Sequence, residues 1–435
     1  MNFENSSKLR ARAHDLIPGG CHTYAKGDDQ YPELAPGFIV KGKGCHVWDA
    51  DGNEFIEFGM GLRAVALGHA YEPVIEAAYR QMQLGQNFLR PSPIEAKCAE
   101  EFLDLIPGAE MVKFGKNGSD AVSAAVRLAR AYTGRELVAI CGDHPFFSVD
   151  DWFIGTTPVA AGIPTVIKSL TVKFRYNDIA SVQALFDQYP DRIACVILEP
   201  EKDVPPVDDF LHRLQQLSHK NGSVFVFDEM ITGFRWHNGG GQTYHGVVPD
   251  LSTFGKAMGN GFSISALAGK KEIMKLGGLG HDKERVFLLS LTHGAENPNL
   301  AAALQVMKIY KSEPVIETLW QRGEQLAAGI NQAIMAHGIA EHFALIGRPC
   351  ALVYATRDEN KKPSQEFRAL FLQETIKRGI LAPSLVVSYS HSTSDLDATV
   401  EAIHGALSVY KHALSVGAAK YLIGRPVKPV FRAFN

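Results

Sequence analysis

The chain has 435 residues, 46% of them hydrophobic and 21% charged, enough for two or three structural units with sizeable cores. The formal net charge is −3 at pH 7 and the charges are mixed along the chain, which argues against a nucleic-acid partner. No apolar run approaches the roughly 20 residues that span a bilayer, the start from Met1 to Asn5 is polar, and the six cysteines form no C-x-x-C pair. These features predict a cytoplasmic protein with reduced thiols, no metal and no membrane partner.

The first forty residues read as irregular, with turn formers at Pro18-Gly19-Gly20 and Gly27-Asp28-Asp29. Two short extended runs, Cys45 to Asp49 and Glu54 to Phe58, flank Asp51-Gly52-Asn53 and predict a β-hairpin. From about residue 70 the texture alternates. Helices are expected over Pro73 to Met82, Ile94 to Leu105 and Ala121 to Tyr132, with extended pieces at Val112 to Phe114 and Leu137 to Ile140. Ile193 to Leu198 and Val224 to Phe227 are almost wholly apolar, as strands buried on both faces of a parallel sheet are. The helix between them, Leu211 to Asn221, completes a βαβ pattern and predicts an α/β sheet domain. After Asn297-Pro298 a helix over Leu300 to Tyr310 leads into helices at Pro314 to Ala336 and Ser364 to Lys377 and a strand at Cys350 to Tyr354. This last region reads as a smaller α+β domain.

Three short segments carry chemistry. Asp228 and Glu229 directly follow an apolar strand, the place where open α/β sheets meet ligands. An acid there binds a metal, caps a helix or faces a cationic ring. Lys256 stands between Gly255 and the Gly259-Asn260-Gly261 turn, where the backbone can approach a planar ligand and a desolvated amine can attack an aldehyde. Gly118 and Ser119 open the Ala121 helix, and free amides at a helix start suit a phosphate, although Ser119 also reads as a plain N-cap. The order is an anion turn, then an acid at a strand end, then a glycine-flanked lysine 28 positions after Asp228.

That order resembles the class III aminotransferases of pyridoxal-phosphate (PLP) fold type I, in particular the glutamate-1-semialdehyde aminomutase branch. Further matches are Asp49 to Phe55, Leu67-Gly68-His69-Ala70, Arg127 to Arg135, Leu198-Glu199-Pro200, Asp228 to Arg235 and Tyr244 to Leu251. The resemblance implies a large domain with a mostly parallel seven-stranded sheet over residues 61–310. It implies a smaller α+β domain from residues 311–435, to which residues 1–60 contribute. It implies pyridoxal 5'-phosphate as cofactor, held as a Schiff base on Lys256, with Asp228 paired to the pyridine nitrogen. Gly118 and Ser119 match the phosphate cradle, with Asp120 beside them, and Glu199 falls among the cofactor-binding positions. His144 falls at the position that stacks on the ring, with Phe146 and Phe147 as alternatives. Thr292 resembles the residue that reaches the phosphate in the neighbouring subunit, which implies a homodimer with shared sites. It stands five positions before Asn297, one off the family spacing.

The departures from the family fall on substrate recognition. The segment Cys21 to Pro32 lacks the branch's substrate-binding arginine, leaving Tyr24 and Lys26 as candidates, and Lys26 offers charge without a planar fork. Leu381-Ala382-Pro383-Ser384 runs into Val387 to His391 through a shortened loop without its acidic residue, and Gly259 to Ser263 replaces a glycine-rich turn. Arg90 is a further substrate candidate beside Pro91-Ser92-Pro93; Arg235 reads as structural. The expected activity is amino transfer between a small-molecule donor, with glutamate suggested by the family, and a keto or aldehyde acceptor. An intramolecular aminomutase, or amination coupled to elimination, is the alternative.

Overall fold

The computed structural model describes residues 1–434 and divides into two compact units, Met1–Tyr71 with Glu317–Arg432, and Glu72–Ile316. The first unit opens with a helix at Glu4–Leu16, where the sequence predicts irregular structure. The helix is mostly polar, with Leu9, Ala11, Ala13 and Leu16 as its only apolar residues, so no broad hydrophobic stripe announces it. Its first amides are satisfied from far away in the chain: Asn5 and Ser6 donate to the Asp51 carboxylate at 2.6 and 2.8 Å. Strands β1 (Ile39–Lys43), β2 (His46–Asp49) and β3 (Glu54–Glu57) then form an antiparallel meander containing the expected hairpin.

The second unit is built on a seven-stranded sheet. Its strands in chain order are β4 (Met111–Gly115), β5 (Leu137–Cys141), β6 (Thr171–Phe174), β7 (Ile193–Leu198), β8 (Val224–Asp228), β9 (Leu251–Phe254) and β10 (Ser265–Gly269). Their order across the sheet is β4-β10-β9-β8-β7-β5-β6, and only β10 runs against its neighbours. Alternation along the strands fills two cores. Val138, Ile140, Cys195, Ile197, Val224 and Val226 pack on the side of the Gly118–Thr133 helix. Ala139, Cys141, Val196, Leu198, Phe225 and Phe227 pack on the other side, with Val182 and Phe186 of the Ile179–Gln188 helix and Leu211 and Leu214 of the Phe210–Lys220 helix. Both faces are dry, which is why these strands carry unbroken apolar runs.

The first unit resumes with a helix at Val315–His337, a hairpin of β11 (Phe343–Ile346) and β12 (Val353–Thr356), a helix at Gln365–Ile376, and β13 (Ile380–Leu381). Strand β13 adds in parallel to β3 and completes a four-stranded sheet. The strand expected at Cys350 to Tyr354 begins only at Val353, because Pro349–Ala351 forms a tight 3-10 turn with the proline at its start. A 24-residue helix, Thr393–Val416, follows and starts at a capping box made by Ser392 and Asp395. Among the described residues no helix is long and apolar enough to cross a membrane.

Candidate functional site

Five of the six parallel strands of the large sheet lead at their C-terminal ends into a candidate site residue. His144 follows β5, Glu199 follows β7, Asp228 ends β8, Lys256 follows β9, and the Gly118–Thr133 helix starts just after β4. The register of the ladders aligns them: Ile140 pairs with Ile197, Leu198 with Phe227, and Asp228 with Thr253. The crevice beyond the carboxyl ends of such strands is the ligand position of open α/β sheets.

Asp228 alternates onto the same face as Val224 and Val226, the side of the Gly118 helix. It is 3% exposed. Its Oδ1 accepts the Met230 amide at 2.9 Å and lies 3.4 Å from the Thr253 hydroxyl. Burial raises its carboxyl to about 6, opposed by the positive charge of Lys256. A carboxylate held this dry needs a cation beside it.

Lys256 carries that cation on strained backbone. Its φ is 45°, in the left-handed region that a non-glycine residue rarely enters, and such strain gathers at ligand sites. Gly255 ahead of it and Gly118 at the helix start are both shaped by Met230. A Cβ on Gly255 would stand 2.8 Å from the Met230 sulfur, and one on Gly118 would stand 2.9 Å from it. One methionine side chain thus packs against both the lysine turn and the anion turn, and a Cβ at either glycine would require Met230 to move.

The helix start itself resolves the ambiguity over Ser119. The N-cap is Asn117, in a capping box with Asp120, so Ser119 sits inside the first turn. Its Oγ accepts the Val149 amide at 3.1 Å, which leaves the hydroxyl proton available. The amides of Gly118 and Ser119 precede the first intrahelical bonds and point out of the helix end, where the dipole of 16 residues favours an anion.

His144 is 6% exposed. Its Nδ1 accepts the Glu199 amide at 3.0 Å, and since that amide only donates, Nε2 bears the ring proton. Burial, with help from the charge of Lys202, lowers its pKa to about 3, so the ring is neutral. A neutral, fixed imidazole can lie flat against an aromatic ligand. Phe147 is buried beside it with ring centroids 6.2 Å apart, while Phe146 is 43% exposed. Glu199 is buried at the end of β7.

Glu229 has a different job from its neighbour, which sequence alone does not separate. It is fully buried and accepts the Thr232 hydroxyl and the amides of Gly241 and Gln242, both at 2.7 Å. It ties the β8 end to the short Gly240–His245 helix, and burial raises its carboxyl to about 7. Arg235 is fully buried and its charge is felt by Tyr310.

The remaining candidates stand elsewhere. Arg90 and Thr292 line one open cleft of about 590 Å3 with Lys113, His293, Glu296 and Asn297, and neither Asp228 nor Lys256 lines it. Tyr24 and Lys26 belong to the first unit, on a 3-10 turn at Tyr24–Lys26 with Tyr24 67% exposed. Two participants escape sequence reading: Met230, whose packing is tertiary, and Lys202, whose charge reaches His144; Glu229 is seen in the sequence, but its structural tether is not. The buried acidic partner, the anion-receptive helix end and the neighbouring lysine fit a phosphorylated, protonated pyridine aldehyde.

Comparison with known proteins agrees. A family model described as Aminotransferase class-III matches residues 26–403. The chain is 32% identical to glutamate-1-semialdehyde 2,1-aminomutase 2 of Bacillus cereus (strain B4264), over 94% of this chain and 99% of that protein. Among solved structures it is similar to the PLP internal aldimine form of FumI from Sphingopyxis sp. MTA144, with a TM-score of 0.86 and 27% identity over 94% and 97% of the two chains. An omega-transaminase from Sphaerobacter thermophilus gives a TM-score of 0.83 and 28% identity over 93% and 98%.

Proposed function

The chain belongs to the class III aminotransferases, enzymes of PLP fold type I that move an amino group, and we propose specific roles for its residues in that reaction. Pyridoxal 5'-phosphate supplies, when bound, the aldehyde that takes up the amine and the ring that withdraws electrons from it. Lys256 is the residue that attaches the cofactor and, once displaced by substrate amine, carries the proton between carbons. Asp228 keeps the pyridine nitrogen protonated. Gly118 and Ser119 receive the phosphate, the neutral His144 lies against the ring, and Glu199 orients His144 through its backbone amide. The observation that carries these roles is the pairing of a buried Asp228 with the strained, glycine-flanked Lys256.

The test uses the purified protein loaded with PLP. Borohydride reduction followed by peptide mass spectrometry is expected to find the label on Lys256, and Lys256→Ala is expected to lose both attachment and turnover. Label on another lysine, or full turnover by Lys256→Ala, refutes the assignment.

The substrate reading is narrower than the family. The aminomutase relative moves an amino group within glutamate-1-semialdehyde, as its name states. This chain lacks the arginine expected between Cys21 and Pro32 and carries a shortened loop after Pro383, which favours transfer between two molecules over return to the same one. Arg90, Tyr24 and Lys26 are the proposed substrate contacts, and glutamate is the proposed donor. The discriminating experiment supplies glutamate-1-semialdehyde alone, without donor or acceptor. Stoichiometric isomerisation would establish the mutase reading instead; its absence, with turnover of a donor and acceptor pair, supports transfer. Elimination coupled to amination would appear as a product lacking a substituent as well as carrying the new amine.

We further propose a cytoplasmic homodimer. Six thiols with no disulfide among them support a reducing compartment. Phe88, Leu89 and Leu291, exposed at 53%, 100% and 52%, line the Thr292 cleft and make an apolar face suited to a second copy. In that pairing Thr292 serves the partner's phosphate. Light scattering at twice the 47.6 kDa chain mass is the expected result.

A further inference from the structure

The first unit holds a cluster that the amino-transfer chemistry does not use. Cys45 in the turn between β1 and β2 and His46 at the start of β2 face Asp395, at the start of the Thr393–Val416 helix, and the three ligand-type atoms lie within 4.8 Å of one another. Cys45 Sγ is 3.4 Å from one Asp395 oxygen and His46 Nε2 is 3.1 Å from the other. A tetrahedral ion bound at about 2.0–2.3 Å to S, N and O ligands places those ligands about 3.3–3.8 Å apart, so the cluster stands near the required spacing without an ion.

We propose that Cys45, His46 and Asp395 form a binding site for one divalent cation of the zinc type, with water as fourth ligand, that clips the β1–β2 turn to the start of the Thr393–Val416 helix. Three observations beyond the spacing support it. First, His46 Nδ1 lies 2.9 Å from Glu54 Oε1, so this carboxylate holds a ring proton on Nδ1 when an ion displaces the Nε2 proton that Asp395 otherwise accepts at 3.1 Å. This carboxylate–imidazole relay is the usual outer-sphere support of a metal-bound histidine. Second, the Asp395 carboxylate is aimed by the Ser392 amide and hydroxyl at 2.8 and 2.6 Å. Third, access and burial are graded as a bound ion requires. Cys45 is 1% exposed, while the side chains of His46 and Asp395 retain 33% and 15%, which leaves an entry path from solvent.

The charges balance. A divalent ion with one thiolate and one carboxylate is neutral, so the guanidinium of Arg322, which interacts with the charges of Cys45 and Asp395, does not oppose it. His391, the other buried titratable group facing the cluster, is held neutral by burial and adds no repulsion. On binding, the Cys45 thiol proton and any second proton on His46 leave to solvent, and the metal–sulfur and metal–nitrogen bonds take their place. No oxidation state changes. A mixed sulfur, nitrogen and oxygen set selects zinc-type ions over calcium or magnesium. Cys45 and Asp395 lie 350 positions apart in sequence, so the ion would close a very long loop.

The test uses the full-length holoenzyme dialysed against zinc chloride and then freed of unbound ion. Metal analysis is expected to find one zinc per chain, and titration is expected to show at least about 10-fold weaker binding in Cys45→Ala and in His46→Gln. His46 is partly exposed, so His46→Gln keeps the test open where Cys45→Ala fails to fold. Cadmium chloride should give a thiolate-to-metal charge-transfer band in the wild type that Cys45→Ala lacks. Zinc absent from the wild type, or retained with equal affinity by either variant, overturns the proposal. These readouts are independent of turnover, so they stand or fall separately from the roles proposed for Lys256 and Asp228.

Discussion

Asp228→Asn should move stability and activity in opposite directions. In the cofactor-free protein the Asp228 carboxyl is raised from its ordinary 3.8 to about 6, chiefly by burial. Its folded pKa therefore lies above its unfolded value. The associated stability is complete below the unfolded pKa and is lost as pH rises through the folded one. Two pKa units correspond to about 3 kcal/mol, so ionised Asp228 destabilises the cofactor-free protein by that order above pH 6. Asparagine keeps the shape: its carbonyl takes the place of Oδ1, accepting the Met230 amide and facing the Thr253 hydroxyl. Asp228→Asn without cofactor should then match the wild type near pH 4 and exceed it by up to about 3 kcal/mol at pH 8. Turnover should fall by about 10²–10³, the usual loss when one pre-positioned charge is removed from a reacting centre. Urea unfolding of both cofactor-free proteins at pH 4 and pH 8, with steady-state assays of the loaded enzymes, measures both arms. A variant less stable than wild type at pH 8, or one with undiminished turnover, would refute the argument that a dry carboxylate is kept there for a cationic ring.

Two other substitutions probe the parts around that pair. Glu229→Ala leaves the Thr232 hydroxyl and the amides of Gly241 and Gln242 without their acceptor, and should cost about 3–5 kcal/mol in thermal or urea unfolding. Gly118→Ala brings a Cβ to 2.9 Å from the Met230 sulfur and should weaken PLP binding in equilibrium dialysis by about 10-fold, with partial recovery in Gly118→Ala/Met230→Ala because the two sites are in contact.

How much of this was legible in the sequence depended on the range of the cause. Ile193–Leu198 and Val224–Asp228 were readable as buried parallel strands because both faces are dry, so no polar residue interrupts them. The Glu4–Leu16 helix was not readable, since the group that satisfies its first amides, Asp51, lies 45 and 46 positions away. The short strands Thr171–Phe174 and Leu251–Phe254 carry Thr, Lys and Ser and hold their place through pairing with neighbours rather than through their own pattern. The start of the Thr393–Val416 helix, by contrast, has a local signal in Ser392 and Asp395, three residues apart.

The same distinction separates the cofactor region from the substrate region. Gly118, Gly255 and Lys256 are constrained by backbone geometry: Met230 fills the space at both glycines, and Lys256 takes a φ of 45° that its neighbours must enforce. Such constraints admit few residue types and leave a recognisable string in the sequence. Asp228 and Glu229 test the limit, because both acids end one apolar strand and the string does not rank them. Their surroundings do. Glu229 is met by a hydroxyl and two amides, all neutral donors with no cation among them, and so it closes a local structural tie. Asp228 is met by one amide and a distant hydroxyl, with the positive charge of Lys256 as the leading influence against its burial. A buried carboxylate whose local bonds leave capacity to accept is the one suited to a cationic ligand. Substrate-facing residues carry no comparable backbone demand. Lys26 on an exposed turn and Arg90 in an open cleft can be exchanged without disturbing a strand or a core, which is why the sequence names the cofactor and leaves the acceptor to experiment.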